Sequence, residues 1–155
     1  MKRVCVFIYI IVFHFSQDVI AQVDYDFFDE RLEINKNDSN KLRFNFYNLN
    51  FMKNNEYYNK ISEGYTLYGN QVHPKLVYQA SPNITLAGGV FLLKEYGFDG
   101  YSQVLPTFTL KIEKGPLTML YGNIEGAASH RLVEPLYEFE RVFIERMEYG
   151  SQILL

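Results

Sequence analysis

The chain has 155 residues and a formal net charge of −3, which excludes the strongly basic surface that nucleic-acid binding requires. Tyr and Phe make up all of its aromatic residues, and Cys5 is its sole cysteine. One cysteine cannot form a disulfide within the chain, so the fold must be stabilised by its core, by a partner or by a membrane. The richness in Tyr and Phe favours β-strands with half-buried faces.

The N-terminus has the pattern of a secretory signal peptide. Lys2 and Arg3 precede an apolar run over residues 4–15, and Ala21 suits the position before a signal-peptidase cut. An apolar run of about 12 residues is shorter than the roughly 20 that a membrane-spanning helix needs. We therefore predict that residues 1–21 are a signal peptide and that the protein is exported.

The rest of the chain divides into a polar arm and a run of strands. Residues 22–40 are polar and acidic without a clear period and are predicted to be a loosely packed arm. Alternating apolar and polar side chains then predict an antiparallel β-meander over residues 41–155. The predicted strands cover residues 41–52, 65–80, 84–94, 103–113 and 117–124, with a sixth beginning at residue 151.

Three local features qualify these strands. The apolar phase slips at Tyr47, which predicts a bulge there. Pro74 argues against a paired central position at that point in the second strand. Gly88 and Gly89 predict a bend or a close approach of two backbones.

One segment changes period. Leu136, Phe139, Phe143 and Met147 recur at helical spacing, which predicts an amphipathic helix near 135–148.

The connections between the strands suggest which surroundings the apolar face meets. They alternate between long and short, as in outer-membrane β-barrels, where short turns face the periplasm and longer loops face outward. Two predicted strands have about 11 residues, enough to cross a bilayer when tilted. About five strands and the start of a sixth are too few for a bacterial single-chain barrel. The sequence therefore predicts transmembrane β-strands of a partial or truncated barrel, the N-terminal fragment of a longer one.

Several loop and turn motifs support this interpretation. The segments "KNNEYYNKISEGYTLYG", "ASPN", "KEYGFDGY", "PTFTLK" and "HRLVEPLYEFER" resemble the N-terminal portion of porin-like outer-membrane β-barrel proteins of Gram-negative bacteria. The resemblance implies a barrel in the outer membrane that contacts its lipid and passes or binds small polar solutes. The alternative is a soluble exported β-rich binding module in the periplasm or on the cell surface, because alternation alone does not distinguish lipid from a protein core.

The sequence shows no group of residues that predicts catalysis. His73 and His130 stand apart from other metal-ligand types, and no nucleophile or phosphate-loop motif is present. We therefore expect no enzyme activity, no catalytic residue, no metal site and no cofactor. The expected partners are outer-membrane lipid and a small polar solute, with assembly into a homo-oligomer as an option and no nucleic acid.

Charged residues on the predicted helix and on the polar strand faces are the candidates for ligand binding or for lining a pore. The alternative for the helical ones is an exposed face with charge pairs along the helix. The candidates are His130, Arg131, Glu134, Glu140, Arg141, Lys75 and Lys111.

Overall fold

A computed structural model describes residues 28, 30–56, 64–125 and 140–155. Within them, six antiparallel strands form one sheet in the order of the chain. The strands are β1 (Leu42–Asn55), β2 (Tyr65–Ser81), β3 (Ile84–Glu95), β4 (Gln103–Lys114), β5 (Leu117–Asn123) and β6 (Tyr149–Leu154). The predicted all-β antiparallel meander is confirmed. The boundaries of the signal peptide and of the arm stay predictions.

The pairing of β1 with β2 is regular along the whole of β1, so the predicted bulge at Tyr47 is wrong. The apolar residues change face while the register continues. Phe44 and Phe46 lie on the outer face and are exposed, whereas Phe51 lies on the inner face and is buried. The phase slip in the sequence therefore arises because the apolar residues move from the outer face to the inner face along the strand. It does not mark an extra residue.

Pro74 lies in a central strand, which the sequence argued against. It is opposite Phe46 of β1, but the pairing of β2 with β3 is interrupted at His73 and Pro74. A proline without an N–H group is tolerated here because the ladder towards β3 is already open at this point.

The two faces of the sheet differ in character. The inner face carries two apolar clusters, one formed by Phe51, Phe91, Leu93 and Phe143 and the other by Leu32, Val77 and Ala87. The outer face leaves large apolar side chains exposed on every strand: Leu42, Phe44, Phe46, Leu76, Tyr78, Val90, Val104, Phe108, Met119, Tyr121 and Ile153. So large an apolar surface indicates a partner or a lipid environment.

The helix is much shorter than its prediction. A single helical turn, α1 (Arg141–Ile144), precedes β6, which already begins at Tyr149. Residues 135–139 lie outside the described residues, so the first part of the predicted helix is untested. Phe143 of α1 joins the larger apolar cluster, and Met147 packs against that cluster from the non-helical segment. Across the described ranges, no helix has the length and apolar character needed to cross a membrane.

A segment before β1 crosses the inner face of the sheet. We call residues 30–35 the strap. Leu32 in its centre is 3% exposed and packs with Val77 of β2 and Ala87 of β3. The strap and α1 together cover the inner face and enclose the polar side chains beneath them.

Candidate active site

Polar side chains from two strands meet on the inner face across a glycine. In the sheet register, Lys75 of β2 is opposite Gly89 of β3, and Gly89 is opposite Thr107 of β4. A Cβ atom on Gly89 would lie 2.8 Å from Cγ of Lys75 and 2.3 Å from the carbonyl oxygen of Pro74. The absent side chain leaves space through which β2 side chains reach β4, and the predicted close approach at this glycine is confirmed.

His73 connects three segments through hydrogen bonds at both ring nitrogens. Its Nδ1 lies 2.8 Å from Oε2 of Glu30 in the strap, and its Nε2 lies 2.8 Å from Oγ1 of Thr107. A carboxylate can only accept, so Nδ1 carries a proton and, in the neutral ring, Nε2 accepts from the Thr107 hydroxyl. His73 is 3% exposed and Thr107 is 8% exposed, so bulk water competes little for these bonds.

Glu30 is held as a carboxylate by its neighbours. Burial alone, the largest influence, would raise its pKa, but the hydrogen bond from His73 and the charge of Lys75 act in the opposite direction. Their combined effect places the pKa of Glu30 below its ordinary value. Lys75 Nζ lies 2.6 Å from Oε1 of Glu30, so the two carboxylate oxygens contact different partners. Glu30 is thus negatively charged and fixed in orientation at neutral pH.

The cluster lines a small cavity. Its volume is about 50 Å³, which accommodates a few water molecules. Nine of its fifteen lining residues are polar, and Phe28, Leu32, Ala87, Ile124, Val142 and Met147 contribute apolar surface. The polar residues that line it are Glu30, His73, Lys75, Thr107, Thr109, Asn123, Glu125, Arg146 and Glu148.

Asn123 enters the cavity because of a backbone irregularity at the end of β5. Gly122 has a φ of 100°, and a Cβ atom there would lie 2.2 Å from the carbonyl oxygen of Phe108, so only glycine fits. Asn123 Oδ1 accepts a hydrogen bond of 2.9 Å from the Phe108 N–H group. Among the described residues, the hydrogen-bond partner of its Nδ2 is Sδ of Met147, 4.0 Å away, and sulfur is a weak acceptor. The Asn123 amide is therefore a donor that a bound oxyanion could use.

A second buried polar group lies beside the first. Lys111 Nζ donates to the carbonyl oxygen of Leu32 over 2.6 Å and lies 3.1 Å from Oε1 of Glu125. The same Glu125 oxygen accepts from the Leu32 N–H group at 2.8 Å. Gln152 of β6 donates to the Glu125 carbonyl and accepts from its N–H group. These contacts bind the strap to β4 and β6.

The structure separates the residues that the sequence proposed for ligand binding. Lys75 lies at the His73 cluster and Lys111 at the second group. Glu140 accepts hydrogen bonds from Lys53, Asn55 and Tyr65, and the exposed Arg141 pairs with Glu145. His130, Arg131 and Glu134 lie outside the described residues. A binding role for each of the seven stays a prediction.

The sequence interpretation did not identify Glu30, His73 and Thr107 as functional residues. In the sequence His73 stands as an isolated strand histidine, because its partners lie 43 and 34 residues away in the chain. One signal was available: strand alternation places His73, Lys75, Thr107 and Lys111 on the polar faces of their strands. Only the strand register and the path of the strap bring Glu30 and Thr107 to the same imidazole.

In chemical terms, a hydroxyl, an imidazole and a carboxylate connected in this order form the arrangement that activates a serine or threonine nucleophile. The comparison with protein families points to compatible chemistry. Residues 34–155 match the family model described as lipid A 3'-O-deacylase-type. This match covers most of the chain, so the chain belongs to that family. His73 and Thr107 lie within the matched residues, and Glu30 precedes them. Comparison with curated proteins and with solved structures gave no match.

The family match corrects the earlier interpretation. The porin-like assignment, with transmembrane strands and solute passage, is wrong, and the alternative binding module gains no support. The prediction that the chain is not an enzyme conflicts with a family named for a deacylase. The motifs that supported the porin-like assignment were loops and turns. Such motifs indicate how the strands are connected, but they do not indicate what reaction a protein catalyses. Lys75 and Lys111, two of the candidates for lining a pore, bond to Glu30 and to the Leu32 carbonyl of the strap.

Lipid A is a lipid of the Gram-negative outer membrane, so the family description is in line with the predicted outer-membrane lipid partner and outer-membrane location.

Proposed function

We propose that the chain is a hydrolase that removes an ester-linked acyl chain from a lipid of the outer membrane, with lipid A as the substrate class. The observation that carries the proposal is the connected series Thr107–His73–Glu30 beside a small cavity. Membership in a family described as lipid A 3'-O-deacylase-type supports the choice of substrate.

In the first step, Thr107 Oγ1 attacks the carbonyl carbon of the ester while His73 Nε2 takes its proton. Glu30 stabilises the resulting imidazolium through the Nδ1 hydrogen bond. The bond between the carbonyl carbon and the sugar oxygen then breaks, and His73 returns the proton to the leaving oxygen. The products of this step are the deacylated lipid and an acyl ester on Thr107.

In the second step, water in the cavity attacks the acyl ester, with His73 again acting as the base. The fatty acid leaves and the Thr107 hydroxyl is restored, so atoms and charge balance over the cycle. Negative charge develops on the carbonyl oxygen in both steps. Lys75 and the Asn123 amide line the same cavity and are the candidate groups to stabilise it.

The substrate would approach from a lipid environment. The outer face of the sheet exposes apolar side chains on all six strands, which suits contact with acyl chains. The cavity has room for only a few water molecules, so lining side chains must move to admit an acyl chain. Met147 is the lining residue best suited to this, because its unbranched thioether adopts many conformations.

Two substitutions of Thr107 test the proposal. In detergent micelles containing lipid A, we expect the wild-type chain to release fatty acid. Thr107→Val keeps the shape but removes the hydroxyl and should lower kcat by a factor of about 10³ or more, since the residual rate then depends on binding and oxyanion contacts alone. Thr107→Ser keeps a nucleophile and should retain measurable activity.

The covalent intermediate provides a second readout. Mass spectrometry of the quenched reaction should find the acyl mass on the peptide that contains Thr107, and not in Thr107→Val. If Thr107→Val releases fatty acid at the wild-type rate, Thr107 is not the nucleophile. If the wild-type chain leaves lipid A unchanged while remaining folded by circular dichroism, the proposed function is wrong.

A further inference from the structure

We infer that Lys111 is a positioning residue that holds the strap so that Glu30 contacts His73. The inference rests on the proposed function for its kinetic consequences, but its structural part is independent of any substrate. Lys111 does not contact Thr107 or His73 in the hydrogen-bond network of the described residues, so it would act through the strap.

Lys111 binds the strap directly. Its Nζ donates to the Leu32 carbonyl over 2.6 Å, two residues after Glu30, and Glu125 accepts from the Leu32 N–H group over 2.8 Å. Both backbone polar groups of Leu32 are thus held by side chains that are themselves 3.1 Å apart. Lys111 is 7% exposed, so water cannot readily replace it at the carbonyl.

A second buried cation holds the chain just before the strap, on the other side of Glu30. Arg146, 5% exposed, donates from Nη2 to the carbonyl oxygen of Phe28, two residues before Glu30. Its Nη1 donates to the Tyr47 hydroxyl over 2.7 Å, and its guanidinium lies 4.2 Å from the centre of the Tyr47 ring. Glu30 therefore lies between two backbone carbonyls, each bound by a buried cation.

These two bonds are needed because Glu30 lies outside the sheet. The strap is not a strand of the sheet, so no ladder of backbone hydrogen bonds fixes its height above His73. The apolar contact of Leu32 with Val77 and Ala87 is non-directional. The directional bonds at Leu32 and Phe28 set the position and register of the carboxylate.

Lys111→Met tests the inference, because methionine preserves the length and apolar body of the side chain without its charge. We expect a fall in kcat of about 10- to 100-fold with little change in KM, as misplacement of a catalytic group produces. Lys114→Met is the matched control, since Lys114 ends the same strand but is exposed. Lys111→Arg, which retains a donor, should recover part of the lost rate.

A double-mutant cycle distinguishes a positioning role of Lys111 from a general disturbance of the fold. If Lys111 acts through Glu30, Lys111→Met should change kcat by no more than about 2-fold when Glu30 is already glutamine. If the effects of Lys111→Met and Glu30→Gln multiply independently, the inference is overturned.

A spectroscopic readout decides the structural part without substrate. In proton NMR spectra of the full chain in micelles, the Nδ1 proton of His73 should resonate far downfield because it bonds to a carboxylate, and His73→Gln assigns the signal. We expect Lys111→Met to shift or abolish this resonance and Lys114→Met to leave it in place. An unchanged resonance in Lys111→Met overturns the inference. If Lys111→Met moves the resonance but the wild-type chain has no deacylase activity, the positioning stands and the proposed function fails.

Discussion

At the scale of single residues, Glu30 shows how opposing effects set a charge. Burial disfavours its carboxylate, yet His73 and Lys75 contact one oxygen each at 2.8 and 2.6 Å, and their combined effect lowers the pKa. A carboxyl whose pKa is lower in the folded chain stabilises the fold above its ordinary pKa, and this contribution disappears as pH falls through the folded value.

Glu30→Gln should therefore lower the free energy of unfolding at neutral pH by about 2 kcal/mol, a typical value for hydrogen bonds to a charged group. The difference from wild type should stay constant at higher pH and shrink once the pH falls below the ordinary carboxyl pKa of 4.5. Denaturant titrations of both proteins at a series of pH values measure this difference in the free energy of unfolding. Glu33→Gln, at an exposed strap position, is the control. A difference that does not depend on pH would contradict the ion-pair account.

At the scale of the strands, the absence of a side chain at Gly89 allows side chains of β2 to contact side chains of β4. Its register partners are Lys75 on one side and Thr107 on the other. Any side chain at this position would fill the space between them and contact the Pro74 carbonyl.

Gly89→Ala should destabilise the protein by about 1–3 kcal/mol, the usual cost of forcing extra atoms into a packed region. It should also reduce the proposed deacylase activity by displacing Lys75. The neighbouring Gly88→Ala is the matched control, because a Cβ atom there has its nearest contact 3.9 Å away at the Thr107 carbonyl oxygen. Unfolding midpoints and initial rates of both variants provide the measurement. Equal effects at the two glycines would show that the space at Gly89 has no special role.

The strands were predictable from the sequence and the site was not, for a physical reason. Alternation with period two is a local property, so β2, β3 and β4 were located within one or two residues of their observed ends. The site depends on which residues are opposite one another and on the path of the strap over the sheet. The helical pattern over 135–148 was misleading, because Phe143 reaches the apolar cluster from a single helical turn and Met147 reaches it from a non-helical segment.

At the scale of the whole molecule, the sheet separates two environments. Its inner face encloses the polar site, and its outer face exposes a broad apolar surface. Along β1 this surface is interrupted by polar residues: Phe44 and Phe46 are followed on the same face by Asn48 and Asn50, which bond to each other and to Asn70 of β2, before the exposed Met52. An enzyme that acts on a lipid would use the apolar part of this face for contact with acyl chains.

Phe46→Lys and Asn50→Lys test this division, because both positions are exposed on the outer face of the same strand. Burying a Phe side chain contributes about 1.5–3 kcal/mol, so Phe46→Lys should weaken partitioning of the folded protein into phospholipid vesicles by about 10- to 100-fold. Asn50→Lys replaces one polar group by another and should change it little. Co-flotation with vesicles measures the bound fraction, and circular dichroism confirms folding. Equal losses in both variants would mean that the asparagines do not interrupt the lipid-binding surface, and no loss in either would mean that this face does not meet lipid.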